Sequence, residues 1–402
     1  FAVIYRFFLL IISLNSKTPK TKPLSPDQLP TVTILVPLYD EAKSVSRLLR
    51  SLRALDYPQE KLDIKLLLEG DDRNTIEEVR RHKLDDHFDV LLIPPCPPRT
   101  KPKACNFGLR LARGDLIVIY DAEDRPEPDQ IQKAASAFHK ADDDLACVQA
   151  KLNYYNKHEN WLTRLFTLEY SLWFDWLLPA LQELRAPIPL GGTSNFFRTD
   201  KLIEIGGWDP YNVTEDADIG IRISKLGYRV EIIDSTTFEE ANCRLGNWVR
   251  QRSRWMKGYL QTWLVHMRKP HEIIRSSGWG GFLSLQLFVA GNIFSAIINP
   301  VLWTTTLIWL FTRTDAIAAA FPGPLLDLNM IALVAGNSFF VALSVIAPLR
   351  RGWFGLAAYG LTAPIYWLLT SIAAYKALWQ IVLRPHYWEK TEHAISKSFD
   401  RE

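Results

Sequence analysis

Between Thr31 and Lys140 short, almost continuous apolar runs alternate with amphipathic ones. "TVTILVP", "DIKLLLE", "DVLLIP" and "DLIVIYD", starting at Thr31, Asp63, Asp89 and Asp115, predict four buried strands. Helical periodicity over Glu41–Leu55, Thr75–His82, Lys103–Ala112 and Pro128–Lys140 fills the gaps between and after them. Strands apolar on both faces, each followed by a helix, predict an α/β unit with a parallel sheet covered on both sides. Ligands of such sheets bind beyond the carboxyl ends of the strands.

The two ends of the chain carry a different pattern. "FAVIYRFFLLIISL" (Phe1–Leu14) is too short to span a bilayer alone and reads as the end of a transmembrane helix in a fragment. A signal-peptide core is the alternative, but no small-residue cleavage site follows. Lys17, Lys20 and Lys22 place the next segment in the cytoplasm by the positive-inside tendency. Lys17–Pro30, rich in Pro, Ser and Lys, reads as a linker. Beyond residue 280, Gly280–Phe311 with Pro300, Leu325–Leu349 with Asp327 near its start, and Trp353–Leu383 with Pro364 and Lys376 predict about three membrane segments; a packed soluble helical domain is the alternative. After two crossings Arg350 and Arg351 return to the cytoplasm, whereas a third full crossing would leave Arg384 and Lys390 outside. The third stretch is therefore expected to be partly interfacial or re-entrant, kinked at Pro364. The expected division is residues 1–30, 31–270 and 271–402.

Composition changes this picture little. The 402 residues carry a net charge of only +3, so no global field points to nucleic acid. Cys96, Cys105, Cys147 and Cys243 are isolated, which argues against a disulfide framework or structural zinc and fits a reducing compartment.

The candidate chemistry lies after the strands. "LYDEA", "EGDD" and "DAEDRP" crowd acidic groups onto one sheet edge, beyond what helix capping alone requires, and that is costly without a cation. In "DAEDRP", Asp121 and Glu123 stand two apart at a strand end, where Mg²⁺ or Mn²⁺ between carboxylates and a diphosphate suits hard oxygen ligands. Either Glu123 or Asp124 could complete the pair. "TEDADIG" opens a helix, with Thr214 as cap and Glu215 and Asp216 in its first turn; Asp216 could also be a general base for an acceptor hydroxyl. "GGTSNFFR" (Gly191–Arg198) is either a tight turn into a strand or a place where backbone approaches an acceptor sugar. "RTKPKACN" puts Lys101 and Lys103 where a phosphate could meet both and a helix N-terminus. In "QRSRW", Gln251, Arg254 and Trp255 share a helical face; guanidinium suits diphosphate and the indole suits a sugar ring. An amphipathic helix on anionic lipid would use the same residues.

In this order, "VPLYDEA", "EGDD", "KPKACN", "DAEDRP", "GGTSN", "TED" and "QRSRW" resemble inverting family 2 glycosyltransferases with a GT-A fold. The closer resemblance is to membrane-embedded polysaccharide synthases, such as the bacterial cellulose, hyaluronan and chitin synthases. It spans Thr31 to about Tyr259, plus the membrane layout. It implies that Tyr39, Glu41 and the group Glu69, Asp71 and Asp72 hold base and ribose, and that Lys103 approaches the nucleotide. It makes Asp121 and Glu123 the metal and diphosphate site, Asp216 beside Glu215 the catalytic base, and Gly192 and Thr193 neighbours of the acceptor. Gln251, Arg252, Arg254 and Trp255 would bind the diphosphate and the acceptor end. Glu69 and Glu123 stand where the family often has Asp. "YWEKTEH" (Tyr387–His393) is similar in placement to the gating loop of cellulose synthases, with Thr391 and His393 near the nucleotide; an interfacial Tyr-Trp-Lys anchor is the plainer alternative. The implied activity is processive, metal-dependent transfer from a nucleotide sugar, UDP-linked rather than GDP-linked, to a β-linked polysaccharide that is exported. The catalytic domain would face the cytoplasm at the inner or plasma membrane, with the lipid bilayer as partner and no nucleic acid. Single transfer to a lipid acceptor is the first alternative; a non-catalytic transport component or sensor is the second.

Overall fold

The computed structural model describes residues 2–16, 23–314, 324–384, 389, 391–392 and 394–397. Eight strands form one sheet: β1 (Val32–Leu38), β2 (Leu62–Glu69), β3 (Phe88–Ile93), β4 (Leu116–Ile119), β5 (Arg125–Pro126), β6 (Leu145–Tyr154), β7 (Asn195–Arg198) and β8 (Arg229–Glu239), in the order β3-β2-β1-β4-β7-β6-β8-β5. The four strands legible in the sequence pair in parallel, as expected. The rest of the sheet makes it mixed: β6 and β8 pair in parallel, but β7 is antiparallel to both β4 and β6, and β5 to β8, which corrects the parallel expectation. Just before β7, Ser194 takes the left-handed region (φ 58°).

Helices α1 (Ala2–Asn15), α2 (Val45–Arg53), α3 (Arg73–Arg81), α4 (Lys101–Leu109) and α5 (Gln130–Lys140) precede β6. Next come α6 (Trp161–Leu172), α7 (Leu178–Glu183), α8 (Thr199–Ile205) and α9 (Glu215–Lys225). Two apolar clusters cover the faces of the sheet, one around Ile34, Leu66 and Val118, the other around Leu35, Ile117 and Phe197. Alternate residues of β1 and β4 enter opposite clusters, as strand geometry requires.

After β8 come α10 (Leu245–His266), α11 (Pro270–Leu285), α12 (Gly291–Thr312), α13 (Pro324–Ile346), α14 (Phe354–Ala357) and α15 (Ala363–Leu383). Among the described residues, three stretches are long and apolar enough to cross a membrane: Pro270–Thr312, Asp327–Arg351 and Phe354–Leu383. The third differs from the expected kink. Pro364 sits in the first turn of α15, where its missing N–H costs nothing. α15 runs beside α10: the Trp248 and Tyr366 rings are 5.0 Å apart, and Met256 packs against Ala373 and Ala377. Lys376 of α15 is paired to Glu389 at 2.8 Å. The outer face of α15 exposes Ile365, Leu368, Ile372, Trp379 and Val382, a helical stripe of apolar side chains.

Two close approaches set the site. A Cβ on Gly220 would lie 2.0 Å from the Ile188 carbonyl, so α9 is drawn onto the segment leading to Gly191. A Cβ on Gly258 would lie 2.4 Å from Thr214, so α10 is drawn onto the start of α9.

Candidate active site

A cavity of about 600 Å³ opens at the carboxyl ends of β1, β2 and β4 and continues between the helices. Tyr39 and Glu41 after β1, Glu69 at the end of β2, and Asp121 and Glu123 after β4 line it. The other members of these acidic groups have structural partners. Asp72 caps α3 by accepting the Thr75 N–H at 3.2 Å, and it also accepts the Asp40 N–H at 2.5 Å. Asp71 pairs with Arg99 at 2.7 Å. Lys103 pairs with Glu69 at 2.8 Å and donates to the carbonyls of Pro94 and Cys96, so it braces Glu69 from behind. Asp71, Asp72 and Lys103 are therefore outside the cavity wall, contrary to the expectation for them.

Lys101 is the lysine that faces the cavity. Its Nζ bonds Asp121 and donates to the Gly192 carbonyl at 2.7 Å. After β4, Asp124 turns inward. Its carboxylate accepts the Asp121 N–H at 2.7 Å and bonds the Thr193 hydroxyl. Burial, with the charges of Asp121 and Glu123 beside it, pushes the Asp124 carboxyl well above the usual range. Glu123 thus remains as the second cavity-facing acid, and Thr193 braces the loop instead of lining the acceptor side. Among the described residues no group of three or more His, Cys, Asp or Glu could hold a metal. Two carboxylates still fit Mg²⁺ or Mn²⁺, because such ions take one or two protein carboxylates and complete their shell with diphosphate oxygens and water.

Glu215 and Asp216 stand in the first turn of α9 on the cavity wall. Asp216 Oδ1 accepts the Ala217 N–H at 2.7 Å, and a Cβ on Gly192 would lie 3.5 Å from Oδ2, so the Gly191–Gly192 backbone runs against this carboxyl. Burial, reinforced by the neighbouring Glu215 charge, pushes Asp216 up to about 7. Burial also raises Glu215, against the pull of Lys101. Glu239, at the end of β8, is a further wall residue raised well above its usual range by burial and the Asp124 charge.

α10 supplies the cations and rings. Gln251, Arg254 and Trp255 line the cavity as their shared face predicts. Arg254 donates to the Thr391 hydroxyl at 3.2 Å, and Thr391 is itself part of the wall. The segment around Thr391 is held down: the Glu240 carboxylate accepts the N–H groups of Ala394, Ile395 and Ser396, and Asn247 bonds the Glu392 backbone. His393 lies outside the described residues. Arg252 departs from its expected role. Both of its terminal nitrogens pair with Glu169 of α6, at 2.7 and 2.6 Å, and Phe166, Trp248 and Trp255 surround it. It braces the helix that presents Arg254 and Trp255. Glu169, Glu239 and Tyr211 are cavity residues that motif reading missed; only the placement of Glu239 at a strand end gave a signal.

The sequence of residues 116–383, more than half of the chain, matches the family described as glycosyl transferase family group 2. The chain belongs to this family. It is a glycosyltransferase, related to polysaccharide synthases. It is 28% identical over 58% of its length to a probable glycosyltransferase, YdaM, of Bacillus subtilis, covering 56% of that protein. It is 24% identical over 88% of its length to the cellulose synthase 1 catalytic subunit (UDP-forming) of Komagataeibacter xylinus, covering 46% of it. It is 26% identical over 63% of its length to a poly-β-1,6-N-acetyl-D-glucosamine synthase of Staphylococcus aureus, covering 60% of it. The chain thus spans about half the length of the curated relatives it matches. The mannosyltransferase PcManGT of Pyrobaculum calidifontis, solved with GDP-Man and Mn²⁺, superposes with a TM-score of 0.57 at 21% identity, covering 94% of this chain and 95% of that one. The glycosyltransferase therefore has the GT-A fold, with its mixed sheet and apolar C-terminal helices.

Proposed function

We propose that this glycosyltransferase takes a UDP-linked sugar and extends a β-linked polysaccharide that leaves between its apolar helices. The observation that carries this reading is the continuity of one cavity, which joins Asp121, Asp216 and Trp255 to Asn299, Asn337 and Ser344 of the apolar helices. Polar groups along a path through apolar helices suit a hydroxyl-rich chain. The UDP reading follows the name of the cellulose synthase relative and is carried over only as a proposal. The sheet unit faces the cytoplasm of the inner or plasma membrane, α12 and α13 cross, and α15 lies along the interface with its apolar stripe toward lipid.

In this reading Tyr39, Glu41 and Glu69 hold the nucleoside. Asp121 and Glu123 would hold Mg²⁺ or Mn²⁺, which when bound neutralises a leaving diphosphate. Arg254 and Gln251 face the diphosphate, and Trp255 forms the floor under the acceptor sugar. Asp216 takes the proton of the acceptor hydroxyl, whose oxygen attacks the anomeric carbon opposite the diphosphate and inverts it. Thr391, bonded to Arg254, closes the nucleotide side. The test supplies radiolabelled UDP- and GDP-sugars with Mg²⁺ or Mn²⁺ to the protein in nanodiscs and sizes the product. High-mass polymer from a UDP-sugar is expected. A single labelled glycolipid would turn the reading to lipid glycosylation, and transfer from GDP-sugars alone would overturn the donor.

Lys101 makes a separate prediction. Its ammonium bonds Asp121 Oδ1 and so competes with a divalent ion for that carboxylate. Lys101→Met should bind Mn²⁺ about tenfold or more tightly without nucleotide, because one competing charge within bonding distance is gone. Loss of the free Mn²⁺ resonance on titration reads this directly; unchanged affinity would show that the ammonium does not compete.

A further inference from the structure

Arg6 stands on α1 among apolar side chains and forms part of the cavity wall. Its guanidinium lies 4.7 Å from the centre of the Phe340 ring on α13. Its Nε is buried without a hydrogen-bond partner, and its guanidinium forms no ion pair among the described residues. Glu169 is the acid whose charge acts on it, but both oxygens of that carboxylate already bond Arg252, and one also accepts the Tyr366 hydroxyl at 2.6 Å. Two guanidiniums against one carboxylate leave a positive charge unanswered. Arg6 is about 14 Å along the helix from the end of α1 at Asn15. A cation kept there is costly unless an anion meets it.

We propose that the helical part of the cavity binds an acceptor carrying an anionic group, a phosphate or a carboxylate, which pairs with Arg6 while the acceptor hydroxyl sits at Asp216. The inference rests on the reading of this cavity as the acceptor's path. Both anions present the pair of oxygens that a guanidinium fork fits, and each strengthens that bond by its charge. Phe340 lies against the planar group from one side, 4.7 Å from it.

The test uses the full chain in nanodiscs with one donor and three acceptors: a neutral β-linked oligosaccharide, the same oligosaccharide ending in a uronate, and the same oligosaccharide linked through a phosphate to a polyprenyl chain. The wild type should have a lower KM for one of the two anionic acceptors than for the neutral one, and which of them it is names the source of the anion. Arg6→Gln should shift the ratio of anionic to neutral KM about tenfold or more against the anion. Arg6→Lys, which keeps the charge, should restore most of it. UDP binding by the same preparations reports folding; if Arg6→Gln fails that check, the wild-type ratio and Arg6→Lys decide. Equal KM for neutral and anionic acceptors in the wild type, or an equal loss on both in Arg6→Gln, overturns the proposal and leaves the glycosyltransferase reading standing. No transfer to any of the three overturns both.

Discussion

Asp216→Asn should lower sugar transfer by about 10² to 10⁴, the usual worth of a positioned general base, while nucleotide binding persists. The substitution keeps size and the Ala217 N–H contact but removes the proton acceptor. Its pH signature separates this from general damage. Asp216 sits at about 7 in the folded protein, raised by burial and by Glu215, and a base works only when ionised. The wild-type kcat/KM, which reports the free enzyme, should rise tenfold per pH unit below about 7 and level off above it. Stability moves the other way. The folded pKa lies above the unfolded one, so the contribution of this carboxyl is fully present below about pH 4 and is lost as pH rises through about 7. The gain in thermal midpoint of Asp216→Asn over wild type should therefore grow from about pH 4 and level off above about pH 7. A rate profile flat from pH 5 to 8 with an undiminished Asp216→Asn rate would sink the assignment.

The fold was legible where pattern alone determines it. Each of β1 to β4 is an apolar run; β1, β2 and β4 are buried as expected, whereas β3 lies at the sheet edge and leaves Val90 and Leu92 exposed, contrary to the expectation of a buried strand. β6 escaped notice because Gln149, Lys151 and Asn153 interrupt its apolar run. Gln149 and Asn153 are nonetheless buried, satisfied by the Thr193 carbonyl and by the Ser171 hydroxyl respectively, partners 44 and 18 residues away. The site was legible as motifs but not as individual side chains, for a reason of helical phase. Successive residues turn by about 100°, so Lys101 and Lys103 face nearly opposite ways, and the phase is fixed only by where α4 begins. The same holds for the acidic groups. Once Asp72 is the cap of α3 and Asp124 the brace of the loop after β4, Glu69 and Glu123 are left facing the cavity. Caps and braces depend on partners elsewhere in the chain, and spacing does not encode those.

Arg252 is the case with the largest energetic consequence. Its sequence position beside Arg254 suggests a second diphosphate ligand, yet its nitrogens are held by Glu169, 83 residues away, and by Tyr366, 114 residues away. Glu169→Ala would leave that guanidinium ringed by Phe166, Trp248 and Trp255 without its counter-charge. The Arg252 side chain is 10% exposed but that of Glu169 is 37% exposed, so the loss is about 1–3 kcal/mol, below that of a fully buried pair; the thermal midpoint in detergent should fall by a few degrees and Trp255 should lose its fixed position. Replacing both partners with apolar groups, as in Glu169→Leu with Arg252→Met, should recover most of that stability, because neither charge is then stranded. UDP affinity in the double variant decides the role of Arg252. If the residue braces α10, affinity returns with stability. If it contacts the diphosphate, stability returns alone, and affinity stays low because a charge-assisted bond worth about 1.5–3 kcal/mol is gone.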